Sequence, residues 1–426
     1  MFTIKNDAVV LGLLIVILAL IFKTSSSKRP AFKKFYNIVP ALLLCYFIPA
    51  ILNSLGIVDG AESNLYFVAS RYLLPASLVL LCLSIDLKGV INLGPKALIM
   101  FFTATIGIIV GGPLALWLVS LFAPEVLGGL GPEEIWRGLA TVAGSWIGGG
   151  ANQTAMKEIY GASDSLFSAM IVVDVFVANL WMAVLLYGAG KSENIDKKLK
   201  ADNSAIEKLK NKVENYQASI AKTTSFNDMV MIAAVAFGTV ALSHFLADLI
   251  APEISIMLEN ALALNPASAA IYLTSFGSGF FWLVVFATVF GIALSFTKFR
   301  SLEGVGASKT GSLFLYILVA TIGMKMDIGE LIANWGVFKY LITVGLIWML
   351  IHVGILLLVA KLIRAPFFFV AVGSQANVGG AASAPIVASA FSPALAPVGV
   401  LLAVFGYAVG TFGAILCALF MQAVSM

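Results

Sequence analysis

The sequence predicts an all-α polytopic membrane protein with about ten spanning helices and two interrupted, glycine-rich elements. Three observations lead to this fold class: an apolar composition, loop charges that alternate along the chain, and a polar, glycine-rich motif that occurs twice. Hydrophobic residues make up 60% of the 426-residue chain and charged residues only 11%. Since soluble domains carry about 25% charged residues, the expected surroundings are a lipid bilayer.

Apolar runs that approach the length of a membrane span recur from end to end. A spanning helix needs about 20 mainly apolar residues. The runs of that kind are 9–22, 97–123, 166–186, 229–250, 280–296 and 337–360. Because five basic residues and no A-x-A cleavage site follow the first run, we interpret it as a transmembrane helix and not as a signal peptide.

The remaining composition excludes several classes. Cys45, Cys82 and Cys417 lie in apolar runs at unrelated spacing, which indicates core residues and neither a metal site nor a disulfide framework. Two histidines, His244 and His352, are too few for a multi-histidine metal centre. The net charge of +4 comes mostly from loop residues, so we expect no nucleic-acid partner. We also expect no cofactor apart from a sodium ion.

Loop charge predicts the orientation, because cytoplasmic loops carry an excess of Lys and Arg. Loop 23–34 has five basic and no acidic residues and is expected inside, while loops 58–66 and 124–134 carry only acidic charges and are expected outside. The same rule in the second half places both termini outside. The expected location is a cytoplasmic membrane, with the basic loops on its cytoplasmic side.

Segment 137–160 contains the motif GSWIGGGAN and breaks this alternation if it crosses the membrane. Linker 191–222 holds eight lysines and five acidic residues, and a crossing would place it outside. We therefore expect segment 137–160 to enter and return on the outer side, with the glycines at its tip. Segment 365–391, with GSQANVGGAA, is expected to do the same from the cytoplasm.

The two halves match internally, which predicts an inverted repeat. Segment 84–94 pairs with 325–336, and the two glycine-rich motifs pair in turn. The residues this alignment matches are Asp86 with Asp327 and Asn92 with Asn334. Five spans per half give opposite orientations, and inverted repeats meeting at interrupted helices are typical of secondary transporters. The expected organisation is a first repeat in 1–190, a charged linker in 191–226 and a second repeat in 227–426.

The glycine-rich tips are the predicted substrate site. Backbone at membrane depth is tolerated where it lines a cavity, and the start of a returning helix suits an anion. The expected substrate-binding residues are Ser145, Gly149, Gly150, Asn152, Gln153, Ser374, Gln375, Asn377, Gly379, Gly380 and Ser383. The alternative is that small and polar residues only hold packed helices together, and the duplication favours the functional interpretation.

Asp174 lies inside an apolar run and is the predicted coupling residue. A charge there costs about 2.5–3.5 kcal/mol on insertion scales, which points to a function, either sodium binding or proton exchange. Asn152, Asn377 and Thr154 are expected to join it in ion coupling. The alternative is a carboxylate that is paired for packing. Asp86 and Asp327 are interpreted as capping or interfacial charges.

In the linker, apolar residues spaced three and four apart predict an amphipathic cytosolic helix. These are Ile206, Leu209, Val213, Tyr216 and Ile220. A homodimer contact through this helix is a further hypothesis, because two heptads alone do not define a coiled coil.

The paired motifs GSWIGGGAN…KEIYGAS and GSQANVGGAASAPIVASAF resemble the YjcL-like family of bacterial membrane proteins, described as a domain of unknown function. That family is grouped with sodium/glutamate, citrate/sodium and bile-acid/sodium symporters and with sodium/proton antiporters. The resemblance implies a core domain that moves against a panel, or scaffold, domain. It also places the interrupted elements at 148–152 and 377–381. The antiporters carry an adjacent acidic pair where this chain has Asp174 alone.

The predicted function is therefore a secondary active transporter. It would couple sodium to the symport of a small organic anion, such as an amino acid, a carboxylate or a short peptide, by an elevator-like mechanism. The alternatives are a proton-coupled carrier or antiporter and a solute channel. An enzyme is not expected, since the chain has no HExxH motif and no second intramembrane acid beside Asp174.

Overall fold

The computed structural model describes the whole chain except residues 1–2, 37–38, 40, 61, 86, 202–223, 266–267, 269, 271–272, 274–275, 326–334 and 393–394. Its regular structure is helical, apart from one isolated bridge between Ile4 and Val58. Asp86, Asp327, Asn334 and the predicted linker helix with Ile206 to Ile220 lie outside the described residues.

The described helices are numbered in chain order. In the first half they are α1 (Asp7–Ser25), α2 (Pro30–Tyr36), α3 (Ala41–Ser54), α4 (Leu65–Val68), α5 (Leu74–Leu83), α6 (Leu87–Asn92), α7 (Pro95–Ser120), α8 (Ile135–Tyr160), α9 (Asp164–Ala189) and α10 (Ser192–Leu199). In the second half they are α11 (Phe226–Leu264), α12 (Gly279–Ser295), α13 (Ala307–Gly323), α14 (Trp335–Leu362), α15 (Phe367–Val378), α16 (Gly380–Phe391) and α17 (Ala396–Ser425). A π-helical turn, Ala69–Leu73, joins α4 and α5 into one helix.

Among the described residues, seven helices are long and apolar enough to span a bilayer. They include the first helix, α7, α9, α11 and the last helix, and an eighth span results if α12 is counted with the helical turn Lys298–Val305, which bends away by 94°. The chain is therefore a polytopic membrane protein. The expected ten spans are not confirmed, because α3 and α13 are apolar but only 14 and 17 residues long.

The first glycine-rich element, α8, is a hairpin. Gly149 has φ 72° and ψ −174°, which interrupts the helix. The aromatic rings of Trp136 and Tyr160, 24 positions apart, then pack edge to face with centroids 5.4 Å apart. Arg137 donates a hydrogen bond to the backbone carbonyl of Tyr160. A straight helix would hold these residues about 36 Å apart, so the two arms run antiparallel.

The second glycine-rich element, α15 and α16, is also a hairpin. Its two ends meet where the rings of Phe368 and Phe391 pack with centroids 5.4 Å apart. Near the tip, the Gln375 side chain of the first arm donates to Ser383 of the second. Both glycine-rich segments therefore fold back on themselves as hairpins, while the side of the membrane that each enters from stays a prediction.

The two hairpins open at opposite ends of the bundle. The open end of the α8 hairpin, where its two arms begin and end, lies beside the start of α9. There the backbone N–H of Ser163 donates to the carbonyl of Pro132. The α15–α16 hairpin begins at the other end of α9, where a Cβ on Gly188 would touch the ring of Phe367. Since α9 has 26 residues, about 39 Å separate these ends.

Contacts at each end bring together the loops that charge counting places on the same side. Arg71, at the start of the α4–α5 helix, pairs with Glu158 near the open end of α8. At the other end, Ser84 donates to Glu303. The carbonyl of Ile415, near the C-terminal end of α17, accepts from Tyr160, so this end of the last helix lies beside the open end of α8.

Two sets of helices pack mainly among themselves. One set holds both hairpins with α7, α9, α14 and α17, and the other holds α1, α3, α5, α11, α12 and α13. α17 crosses both hairpins and also contacts α5 and α12. The hairpin set positions the candidate site.

Candidate functional site between the hairpin tips

The hairpin tips meet at two glycines. Gly149 and Gly380 both have positive φ, 72° and 58°. A Cβ built on Gly380 would lie 4.0 Å from the Cα of Gly149, so the two backbones approach closely. Gly148 packs against Gly410 of α17, where a Cβ on either would overlap the other. The structure therefore brings the two predicted tips to one place against α17.

Asp174 lies beside the first tip and accepts three side-chain hydrogen bonds. Its Oδ2 accepts from Ser145 Oγ at 2.6 Å and from Gln153 Nε2 at 3.0 Å, and its Oδ1 accepts from Trp146 Nε1 at 2.7 Å. Ser145 and Gln153 come from opposite arms of the hairpin. Asp174 is buried, and its three neighbours all donate, which suits an ionised carboxylate because that form only accepts.

Asn152 ties the first hairpin to α17. Its Nδ2 donates to the carbonyls of Gly148 and Tyr407, both at 3.0 Å, and its Oδ1 accepts from Thr411 Oγ1 at 2.6 Å. The side chain is fully buried, and its donors and acceptor are all engaged. Asn152 therefore fixes the position of the first hairpin tip relative to α17.

Asn377 ties the second hairpin to α7 in the same way. Its Nδ2 donates to the carbonyls of Phe101 and Gly373 at 3.3 and 3.0 Å, and its Oδ1 accepts from Thr105 at 2.8 Å. In both cases the neighbouring helix supplies a carbonyl and, four residues later, a threonine. The two asparagines lie on different hairpins, and their hydrogen-bond partners are different residues.

Ser374 bonds a second buried ionisable group. Trp181 Nε1 lies 2.8 Å from Ser374 Oγ, and His352 Nε2 lies 2.8 Å from the same oxygen. His352 Nδ1 lies 3.1 Å from the carbonyl of Ala104. A carbonyl only accepts, so Nδ1 carries the proton in the neutral ring and Ser374 donates to Nε2. Both ring nitrogens thus have partners, as expected for a structural histidine.

Gln375 and Ser383 cover Gly379 at the second tip. Gln375 Nε2 donates to Ser383 Oγ at 2.7 Å. A Cβ on Gly379 would fall 1.8 Å from Ser383 Oγ, so glycine is required for this arrangement. At the first tip, Thr154 Oγ1 donates to the carbonyl of Gly150, four residues earlier on its own helix.

A charged cluster near the open end of α8 is absent from the sequence predictions. Lys157 Nζ pairs with Asp164 at 2.8 Å and lies 2.8 Å from the hydroxyl of Tyr66. Glu158 accepts from Tyr66 and pairs with Arg71 at 2.8 Å. Lys157 is 5% exposed. These contacts join the first hairpin to the α4–α5 helix through Arg71 and Tyr66.

Sequence reasoning also missed the indoles of Trp146 and Trp181 and the threonines Thr105 and Thr411. Each is a single polar group in an apolar stretch, where burial of the whole side chain is the ordinary interpretation. The repeated spacing of a carbonyl and a threonine four residues later is visible only once the partner asparagine is known.

The fold and site define a polytopic helical membrane protein in which two glycine hairpins meet inside the bundle. A family model gives the family. It matches residues 12–424, and the chain belongs to this family, described as protein of unknown function (DUF819). The chain is also similar to the uncharacterized membrane protein YjcL of Bacillus subtilis strain 168, with 23% identity over 376 residues and 85% of each chain covered. The expected YjcL-like membership is confirmed.

Proposed function

We propose that this protein is a secondary active transporter that carries a small organic anion, with sodium as the coupling ion. The observation that carries the proposal is the meeting of two glycine-tipped hairpins that open at opposite ends of the bundle. A solute held between such tips becomes reachable from one end when one hairpin is displaced, and from the other end when the second is displaced. The relation between the halves is the inverted repeat that the sequence motifs predict.

The two tips supply polar groups that suit both the organic anion and the sodium ion. The returning arms of both hairpins begin at the tips, and a helix N-terminus favours an anion because its N–H groups lack partners within the helix. The first arm of α8 ends at the same place, where carbonyls, the hydroxyl of Ser145 and the carboxylate of Asp174 suit a hard cation. Sodium bound here would strengthen the local positive charge that attracts the anion.

An elevator-like mechanism fits the division into two helix sets. In this proposal the set that contains the hairpins is the transport domain and the other is the scaffold. The ion pair between Arg71 and Glu158 bridges the two sets and must break when one moves along the other. The homodimer remains a prediction, since its expected contact lies outside the described residues.

The proposal is tested by uptake into proteoliposomes of the purified protein. Radiolabelled carboxylates and amino acids are offered with an inward sodium gradient, or with potassium at equal concentration on both sides. Accumulation above the external concentration, driven by sodium, is the expected result. Equilibration without accumulation identifies a channel, and accumulation driven by a pH gradient without sodium identifies proton coupling.

A further inference from the structure

The side-chain oxygen of Gln375 is a buried acceptor without a partner. Gln375 is 1% exposed, and its Nε2 is engaged by Ser383 at 2.7 Å. Its Oε1 has no hydrogen-bond partner among the residues that the structure describes. Buried polar atoms in native structures almost always have partners, so an unpaired one indicates a place that a ligand completes.

This oxygen lies at the second hairpin tip. A Cβ built on Gly379 would fall 2.2 Å from Gln375 Nε2, so the amide sits directly over Gly379. Gly380, the next residue, begins the 12-residue helix α16. The unpaired acceptor therefore lies beside a helix N-terminus that favours a negative group.

The first tip adds a second helix N-terminus to the same place. The returning arm of α8 runs from Gly150 to Tyr160, and Gly149 before it lies against Gly380. Both helices thus begin where Gly149 and Gly380 approach each other, and helix N-termini suit a carboxylate. Asp174 is the nearby acidic group, and three protein donors already occupy its oxygens.

From this geometry we infer the chemical class of the anion, an inference that rests on the proposed function. The substrate is a carboxylate with a hydrogen-bond donor on the adjacent carbon, that is, an α-amino or α-hydroxy acid. The carboxylate lies at the N-termini of α16 and of the returning arm of α8, and the donor satisfies Gln375 Oε1. A carboxylate without the donor leaves that oxygen unpaired and binds more weakly.

The test uses acids that differ only in the group on the carbon next to the carboxylate. The three series are alanine, lactate and propionate; aspartate, malate and succinate; and phenylalanine, phenyllactate and 3-phenylpropionate. Apparent Kd values come from ligand titrations of the thermal midpoint of the purified protein in sodium buffer. The variants are Gln375→Met, which removes the acceptor, and Ser389→Ala as control, because Ser389 on the same hairpin bonds only its own helix at Pro385.

We expect the amino or hydroxy acid of at least one series to bind roughly tenfold or more tightly than the unsubstituted acid. This preference should disappear in Gln375→Met and persist in Ser389→Ala. The ratio of the Kd values of the amino acid and the hydroxy acid identifies which donor the site prefers. Equal binding of all three acids in the wild type, or a preference that survives in Gln375→Met, overturns the inference and leaves the anion carrier standing. If no carboxylate raises the midpoint in any series, the proposed organic anion itself is wrong. If Gln375→Met does not fold, the wild-type ratios decide alone.

Discussion

Thr411 donates a 2.6 Å hydrogen bond to the side-chain oxygen of Asn152, 259 residues earlier in the chain. This bond joins the tip of the first hairpin to the last helix at a place where both are fully buried. Thr105 and Asn377 repeat it between the second hairpin and α7 at 2.8 Å. Each hairpin is therefore held to a crossing helix by a hydrogen bond between a threonine and an asparagine.

The Asn152–Thr411 pair should show energetic coupling. Thr411→Val leaves the Asn152 oxygen buried without a donor, which costs about 1–3 kcal/mol of unfolding free energy. A double-mutant cycle with Asn152→Ala should give a coupling energy of about 0.5–3 kcal/mol. Chemical denaturation in detergent measures these values. Thr239→Val is the control, because Thr239 bonds only its own helix at Val235. Additive effects at residues 152 and 411 would contradict the hydrogen bond.

Gly149 and its neighbour Gly150 offer a matched test of the first tip. Gly149→Ala forces a side chain into φ 72° and ψ −174°, a region essentially restricted to glycine, at a cost of about 1–3 kcal/mol. It also puts a Cβ 3.4 Å from the ring of Tyr407. Gly150→Ala meets only Leu315 at 3.8 Å, an ordinary contact. We expect lower thermal stability in the first variant and a near-wild-type value in the second. Equal behaviour of the two would exclude a tight turn at Gly149.

The buried cluster around Lys157 should matter more than a surface ion pair. Lys157→Met removes a buried cation from Asp164 and Glu158, but Glu158 keeps Arg71 and the Asp164 side chain is 38% exposed. We therefore expect a cost between the roughly 1 kcal/mol of an exposed pair and the roughly 3–5 kcal/mol of a fully buried one. Lys5→Met removes exposed pairs with Asp59 and Glu62, each worth about 1 kcal/mol or less. Thermal and denaturant unfolding compare the two variants. Similar small losses would show that the cluster near the open end of α8 does not hold the hairpin in place.

The hairpin form of α8 predicts which residues share a side of the membrane. Cysteines at Glu133 and Ser163, before and after the hairpin, should react with an impermeant maleimide from the same side. A cysteine at Glu193 in α10 should react from the opposite side. The native Cys45, Cys82 and Cys417 are buried and give little background. Glu193 labelled from the same side as Glu133, with Ser163 labelled from the opposite side, would mean that segment 137–160 crosses the membrane.

Much of this architecture follows from the sequence, for identifiable reasons. Three successive glycines beside Asn152 cannot continue a buried helix, and the eight lysines of linker 191–222 cannot lie outside without breaking the charge rule. Those two facts predict the first hairpin. The duplicated motif then predicts the second, and Asp174 is the natural partner for a polar tip.

Other features depend on contacts that no local pattern encodes. The ten expected spans were counted from apolar runs, and α3 is too short to meet the usual length. Glu158 and Arg71 lie 87 positions apart, so their pairing could not be read from spacing. The donation of both Ser145 and Gln153 to Asp174 requires knowledge of the hairpin turn, which places residues of opposite arms around a single carboxylate.

The most direct test of the coupling site is the thermal stability of purified protein in sodium, potassium and choline salts, with Asp174→Asn and Asp248→Asn compared. Asp248 lies on the exposed side of α11 and provides the same chemical change away from the hairpins. Binding of an ion to the folded state raises stability by about 2.7 kcal/mol at one hundred times its Kd. We predict a sodium-specific rise in the wild type and in Asp248→Asn that is absent in Asp174→Asn. A sodium-specific rise of equal size in all three proteins would contradict a coupling role for Asp174, and no rise in any would contradict sodium coupling.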